Sequence, residues 1–557
     1  MRIALVVCPS WSVNFPPYNI SLLKSILKQN GHEVKNFDFN IEAYHFLKNK
    51  KIDFWEGQNY FYWQEKAFDK VVLPKIDSLI NNAVDSILEY DPEFIGFTVY
   101  SSNIRCTSVM SKRIKARNSS KKIMMGGPQC FTLGANPLQL NITDYIVIGE
   151  GESAILEAIK SPDTKTIPLS KPTNINELLV PDYEDYDITK YEQKNGVSLE
   201  ASRGCVAKCA FCLETHFWVF RSKKAENVVS EIKECIRKYN VKSFRFNDSL
   251  VNGNIKEFHK LVTILSREKL GITWDGYARV NAKMDLEFMK KIKESGNSFL
   301  SYGIESGSQK VLNDMRKGIK VEEAEQNLRD GAKAGLHNQV NWIVGFPTEN
   351  AIDFLYSLAF LYNNKDSIGN ICPGATCGIG EKAELQAHKK RFGIMSTPFL
   401  NNFTTRDFKN TIIHRFIRLK LFHIWVRLLG VLNGQNHKNL KDHYSIEFFN
   451  KQMIKDKIKY DDCVNFSYLN EDTFSSLLYS EYMNFFWIAY KVFGSFKAVI
   501  TFDKNRDLKE FGRQVAGEYN SVARFSIDRR GKWELRLMHS LETVKQFNES
   551  IRLEGEF

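Results

Sequence analysis

The stretch Ser202-Arg203-Gly204-Cys205-Val206-Ala207-Lys208-Cys209-Ala210-Phe211-Cys212 decides how this chain is read. It sets three cysteines in eight residues, spaced C-x3-C-x2-C. Thiolates select soft metals and iron–sulfur clusters. Three of them on a four-iron cluster leave one iron open to a small ligand. A closed zinc site needs a fourth ligand; in that competing reading His216, four residues past Cys212, would supply it.

The sequence downstream of the triad favours the cluster. Strands are expected at 197–201, 242–247, 272–278, 299–304, 338–345 and 369–373, with helices at 225–238, 254–268, 285–295, 321–334 and 351–363. Six β/α units make a partial barrel, and such barrels carry their chemistry at the carboxyl ends of the strands. Those ends hold Asn247-Asp248-Ser249, then Arg279, then Gly303-Ile304-Glu305-Ser306-Gly307, then Val344-Gly345-Phe346-Pro347. Singly, Glu305 reads equally well as a surface carboxylate and Arg279 as an ion-pair partner. Together, at successive strand ends in register with the triad, they read as a ligand site. A carboxylate or amide suits hydroxyls, and an arginine suits a carboxylate.

Upstream, residues 1–160 alternate short apolar strands (2–8, 33–38, 94–99, 122–125, 145–148) with helical patterns (21–29, 66–89, 108–115). This predicts an open, doubly wound parallel sheet that binds ligands at its carboxyl edge. That edge carries Pro16, Tyr18, Thr98, Ser101, Gly126, Gly127, Glu150, Gly151 and Glu152.

Around the triad the chain resembles the radical S-adenosylmethionine (SAM) superfamily: Ser202-Arg203-Gly204 precedes the cysteines and Phe211 precedes the last one. The N-terminal region resembles the cobalamin-binding domain of one subgroup, through Pro16-Pro17-Tyr18, Gly31, Asp38, Ile95-Gly96-Phe97-Thr98, Gly126-Gly127-Pro128 and Val147-Ile148-Gly149-Glu150-Gly151-Glu152. No Asp-x-His-x-x-Gly motif, the source of an axial histidine in other cobalamin proteins, is present.

The resemblance implies that Cys205, Cys209 and Cys212 ligate a 4Fe-4S cluster whose open iron chelates SAM. It implies cleavage of SAM to a 5′-deoxyadenosyl radical, and an apolar, water-poor barrel interior would protect that radical. Phe211, Asn247, Asp248, Ser249, Arg279, Glu305, Ser306, Gly345 and Pro347 become the expected SAM contacts, with the Gly345 turn approaching the adenine. The N-terminal strand ends become the expected cobalamin contacts. The leading expectation is methylation of an unactivated carbon in a small molecule or peptide, with a flavodoxin or ferredoxin as electron donor. Three alternatives stay open: a non-methylating rearrangement, cyclisation or oxidation; an iron–sulfur electron carrier; and a tRNA-modifying enzyme.

The expected organisation is a Rossmann-like domain at 1–160, a linker at 161–195, a radical SAM partial barrel at 196–400 and a mainly helical or α+β region at 401–557. The linker contains the acidic, aromatic run Pro181–Asp187. The 557 residues are 43% hydrophobic and 25% charged, with a net charge of +12 and ten cysteines. That composition suits a globular protein with a metal site in a reducing compartment. It leads to the expectation of a cytoplasmic monomer with no membrane span, no signal peptide and no stable nucleic-acid partner. Residues 408–429 read as a helix packed on the barrel, its cations snorkelling to water; a basic helix lying on a membrane is the alternative. The aromatic-rich stretch 449–490 reads as core or as a substrate lid. Cys372 and Cys377, flanking Pro373-Gly374, stand as candidates for a second cluster or for a proton or hydrogen donor.

Overall fold

A computed structural model describes residues 1–55, 62–63, 67–133, 142–160, 166–167, 172–372, 375–380, 382–395 and 403–407, parts of 410–429, and three strands beyond 495. The stretch 449–490 lies outside the described residues.

Strands β1 (Arg2–Val7), β2 (Glu33–Asp38), β3 (Phe94–Thr98), β4 (Lys122–Gly126), β5 (Tyr145–Val147) and β6 (Thr166–Ile167) form one parallel sheet, ordered β2-β1-β3-β4-β5-β6. β1 is apolar on both faces: Ile3, Leu5 and Val7 enter one core, Ala4, Val6 and Cys8 the other. A central parallel strand covered by helices on both sides requires that pattern. Helices Tyr18–Gln29 and Gly151–Lys160 cover the first face; Phe39–Lys48, Leu73–Glu89 and Ile104–Arg117 cover the second. The strand order reverses between β1 and β3, which opens a crevice at their carboxyl ends.

The 181–191 connector is stitched to both neighbours. Buried Lys24 pairs with Asp182 at 3.2 Å and Asp185 at 2.8 Å, and the Tyr191 hydroxyl donates to Asp38 at 2.7 Å. On the other side the buried Tyr183 hydroxyl donates to the Ser198 carbonyl at 2.6 Å.

The second sheet begins with β7 (Gly196–Leu199). A two-stranded antiparallel ribbon, β8 (Ser202–Arg203) and β9 (Arg221–Ser222), then flanks the cysteine loop. β10 (Ser243–Phe246), β11 (Thr273–Ala278), β12 (Asn297–Glu305), β13 (Asn338–Val344) and β14 (Asn370–Ile371) complete a parallel sheet ordered β14-β13-β12-β11-β10-β7. Helices Ala225–Tyr239, Ile255–Glu268, Leu286–Glu294, Val321–Lys333 and Ala351–Asn363 lie between them.

Strand alternation sends Phe244, Phe246, Leu300, Tyr302, Val340 and Trp342 outward into the helix-covered core. The other face is mixed: Arg245, Asp275, Ser301, Gln339 and Asn341 occupy inward positions beside Tyr277, Phe299 and Ile343. Gln339 and Asn341 both donate to the Ser301 hydroxyl, at 3.0 and 3.2 Å. The barrel interior is thus more polar than expected, because most of the apolar side chains of each strand face the helices.

The described residues of 415–426 are helical and packed on the barrel. Leu419, Leu421, Phe422, Trp425 and Val426 share the barrel's core. Phe422 stacks on Trp342 at 6.0 Å, and the Trp425 indole donates to the Leu358 carbonyl at 2.9 Å. The expected snorkelling fails for two of the cations. Arg415 and Arg418 are each 1% exposed. Their guanidinium groups reach the carbonyls of Phe403 (2.8 Å) and Glu349 (2.9 Å) instead of water. Three antiparallel strands, Phe496–Phe502, Trp533–His539 and Val522–Ile527 in spatial order, form a separate small sheet. Among the described residues no helix is long and apolar enough to cross a membrane.

Candidate active site between two sheets

The crevice of the first sheet faces the strand ends of the second, enclosing a cavity of about 580 Å³. This is within the size range of cofactor pockets. On one wall Trp11 and Tyr100 stack flat, 3.6 Å between ring centroids. Beside them the turn at Gly126-Gly127 presses backbone against backbone. Gly127 has φ +109°, and a Cβ there would lie 2.8 Å from the Val99 carbonyl oxygen. Only glycine tolerates both the angle and the contact. The barrel wall contributes Ser198, Glu200, Arg203, Glu214, Arg245, Asn247 and Ser249. No histidine lines the cavity among the described residues.

An ionic clasp joins the walls. Arg203, two residues before the triad, meets Glu150 (3.2 Å), Glu152 (2.6 Å) and Glu200 (2.7 Å). All four side chains are at most 10% exposed. Arg221 also grips Glu150, and the Tyr18 hydroxyl donates to Glu200 at 3.2 Å. Burial raises the Glu150 carboxyl, but its bonds to Arg221, the Thr173 N–H and Arg203 outweigh it and hold the group below its usual range.

The triad follows Arg203 of this clasp in the chain. Burial pushes all three thiols up. The Ala207 N–H on the Cys205 sulfur and the Glu214 N–H on the Cys212 sulfur, both at 3.4 Å, pull the other way. So do the cations Lys317 and Arg279. Those groups favour the thiolate form that a cluster needs. No three histidine, cysteine or acidic side chains among the described residues close on a single ion-sized point. A four-iron cluster spreads its thiolates over separate irons, so the loop fits it better than one zinc ion. The side chain of His216 lies outside the described residues.

Ten of the expected contacts line the cavity: Pro16, Tyr18, Thr98, Gly126, Gly127, Glu150, Gly151, Glu152, Asn247 and Ser249. A second group gathers around the cysteines. Lys317 pairs with Glu305 at 3.0 Å and lies 5.7 Å from the Phe211 ring. Arg279 donates to the carbonyls of Lys317 and Gly318, so it pins the loop that carries Lys317.

Four of the expected contacts lie off the cavity wall. Asp248 is 2% exposed and commits its oxygens to the Ala201 N–H (2.9 Å) and the Ser202 hydroxyl (2.6 Å). It braces the strand end before the triad and does not line the cavity. Ser306 is fully buried against Ser357. Ser101 lies exposed in the loop after β3, off the cavity wall. At Gly345 (φ +76°) the Cβ direction is filled by Arg415, whose Cγ would lie 2.3 Å away, and the Asn410 amide donates to the Phe346 carbonyl beside Pro347. The close approach at this turn is to the Arg415 side chain. Lys317 was not anticipated; no periodic pattern singles it out in Met315-Arg316-Lys317-Gly318.

An open sheet with a crevice, joined to a partial barrel with a three-cysteine loop, defines a two-cofactor α/β architecture. Residues 199–361 match the radical SAM superfamily model, and residues 64–159 match the B12 binding domain model. The chain carries a radical SAM domain and, ahead of it, a B12-binding domain. The radical SAM domain implies a 4Fe-4S cluster and SAM, and the other domain implies cobalamin. An uncharacterized methyltransferase of Pyrococcus horikoshii is 27% identical over 49% of this chain, which spans 64% of that relative, a little under two thirds. Cytidylyl-2-hydroxyethylphosphonate methyltransferase of Streptomyces wedmorensis is 24% identical over 59% of this chain and 69% of its own length. In fold, the cobalamin-dependent SAM radical enzyme OxsB with aqua-cobalamin aligns with TM-score 0.57 at 16% identity, covering 88% of this chain and 80% of its own. The radical SAM methyltransferase TsrM from Kitasatospora setae, with tryptophan and a SAM analogue, aligns with TM-score 0.54 at 15% identity, covering 72% and 78%.

Proposed function

We propose that this chain is a cobalamin-dependent radical SAM methyltransferase acting on an unactivated carbon of a small molecule or peptide. The observation that carries this reading is one cavity walled by the strand ends of both domains, with Arg203 and Gly204, the two residues before the triad, in its lining. Cluster and SAM, when bound, supply one-electron chemistry at carbon, and cobalamin supplies a transferable methyl group. Cys205, Cys209 and Cys212 hold three irons. Lys317 and Glu305, beside them, offer a cation and an acceptor to the amino-acid end of SAM. Trp11, Tyr100 and the Gly126-Gly127 backbone seat a flat macrocycle. The clasp around Arg203 fixes the distance between the two cofactor positions, and the polar side chains on the inner face of the barrel orient substrate. A flavodoxin or ferredoxin delivers electrons to a cytoplasmic monomer.

Anaerobic reconstitution with iron, sulfide and hydroxocobalamin, followed by metal analysis of the desalted chain, tests this directly. About four irons and one cobalt per chain, with 5′-deoxyadenosine formed from SAM under reduction, is the expected outcome. Iron without cobalt would remove the methyl-transfer reading and leave a non-methylating radical enzyme. That second reading draws support from the similarity to an anaerobic magnesium-protoporphyrin IX monomethyl ester cyclase of Rubrivivax gelatinosus, 24% identical over 40% of this chain. Absence of deoxyadenosine would reduce the chain to an iron–sulfur carrier.

A further inference from the structure

Arg245 lies on the inner face of β10, where it lines the barrel side of the cavity. Its neighbours on the strand, Phe244 and Phe246, point the other way into the core. Its Nε contacts the carboxylate of Asp275 on the adjacent strand. That carboxylate is 9% exposed, whereas the Arg245 side chain is 26% exposed. Two aromatic rings flank the guanidinium: Phe15 from the first domain at 5.9 Å and Phe299 from β12 at 5.2 Å. Neither Nη group donates a hydrogen bond to a described residue. Arg245 is thus held by its Nε edge and its faces, while its two Nη groups have no described acceptor and the side chain lines the cavity.

An arginine serving only as structural glue puts its donors on protein acceptors, as Arg415 and Arg418 do here. A guanidinium fixed along one edge and open along the other is preorganised for a planar or tetrahedral anion. We propose that Arg245 is a specificity-determining residue that binds an anionic group, a carboxylate or a phosphate, on the substrate, with Asp275 as its positioning partner. This rests on the reading that substrate meets both cofactors in this cavity. The anion would anchor the substrate on the barrel wall and turn its uncharged part towards the Trp11–Tyr100 side.

Calorimetric titration of the chain loaded with cluster and cobalamin tests this, with succinate and inorganic phosphate as probes and uncharged succinamide as control. Wild type is expected to bind at least one of the two anions and not succinamide. R245Q should weaken that binding by roughly 30-fold or more, and R245K should restore part of the affinity for phosphate. Equal affinities in wild type and R245Q, or no anion binding by wild type, would overturn the proposal. So would a loss of cobalt uptake in R245Q, since Arg245 would then face an amide of the macrocycle. A wild-type chain that takes up no cobalt yet binds succinate through Arg245 would sink the cofactor reading and leave this one standing.

Discussion

Replacing Arg203 by methionine keeps most of its length and removes the one cation that faces three carboxylates. Glu150 retains Arg221, but Glu152 and Glu200 lose their guanidinium while remaining about 10% exposed. Breaking a buried pair by deleting one partner costs about 3–5 kcal/mol. Retention of Arg221 at Glu150 puts the expected loss at the lower end, about 3 kcal/mol. The sign of the pH dependence follows from the stranded groups. Without Arg203, the buried Glu152 and Glu200 carboxylates keep neighbouring negative charge and lose the cation between them, which favours their neutral forms in the folded variant. A group raised on folding favours the fold below its unfolded pKa, and that contribution is lost as the pH rises through its folded value. The deficit of R203M should therefore be small near pH 4.5 and large at pH 8. Urea unfolding of both proteins at the two pH values measures it. A deficit that is absent, or equal at both, would refute the clasp as an electrostatic device. R203K should recover little, because one ammonium cannot reach three carboxylates.

Three further outcomes follow from other sites. Burial raises Asp248 to about 7, so its contribution to stability is full below about pH 4 and lost as the pH rises through 7. The stability of D248N relative to wild type should then improve by about 2 kcal/mol between pH 5 and 7.5 and flatten above, read from unfolding free energies of the two proteins. G127A should take up less cobalt than wild type at unchanged iron content, since its added methyl collides with Val99 on the cavity wall; equal cobalt would show that this turn does not shape the cofactor seat. Trp425→Ala, which removes a fully buried indole and its bond to Leu358, should cost about 3–5 kcal/mol in a urea titration; a loss below about 1 kcal/mol would mean that this helix is not packed on the barrel.

Much of the fold is legible in hydrophobic period. β2 lies at 33–38 and the helix Ala225–Tyr239 within a residue or so of where the apolar spacing puts it. The helix Phe39–Lys48 is not anticipated. It follows β2 without a loop, so its start signal is Asp38 itself, whose carboxylate accepts the Ile41 N–H at 3.1 Å. The cysteine triad is legible because its spacing is local. Strand-end residues are legible as positions but not as roles. Asp248 and Ser306 turn to protein partners, since a one-residue step along a strand end reverses the side chain. Lys317, Arg245 and the Arg203 clasp become visible only when segments far apart in sequence meet. The snorkelling reading of Arg415 and Arg418 fails for a related reason. Their acceptors are the Phe403 and Glu349 carbonyls, and sequence carries no sign of a carbonyl left open on a turn.

The burial of Arg415 and Arg418 against the turn after β13 bears on how the chain is made. The ribosome releases β14 several seconds before the helix around Trp425 emerges. Through that interval Glu349 has no Arg418, the Phe403 carbonyl has no Arg415, and the outer face of Trp342 waits uncovered. A chain ending at the matched boundary of residue 361 would lack β14 and all of these contacts, and the apolar face left bare around Trp342 is expected to lower its solubility.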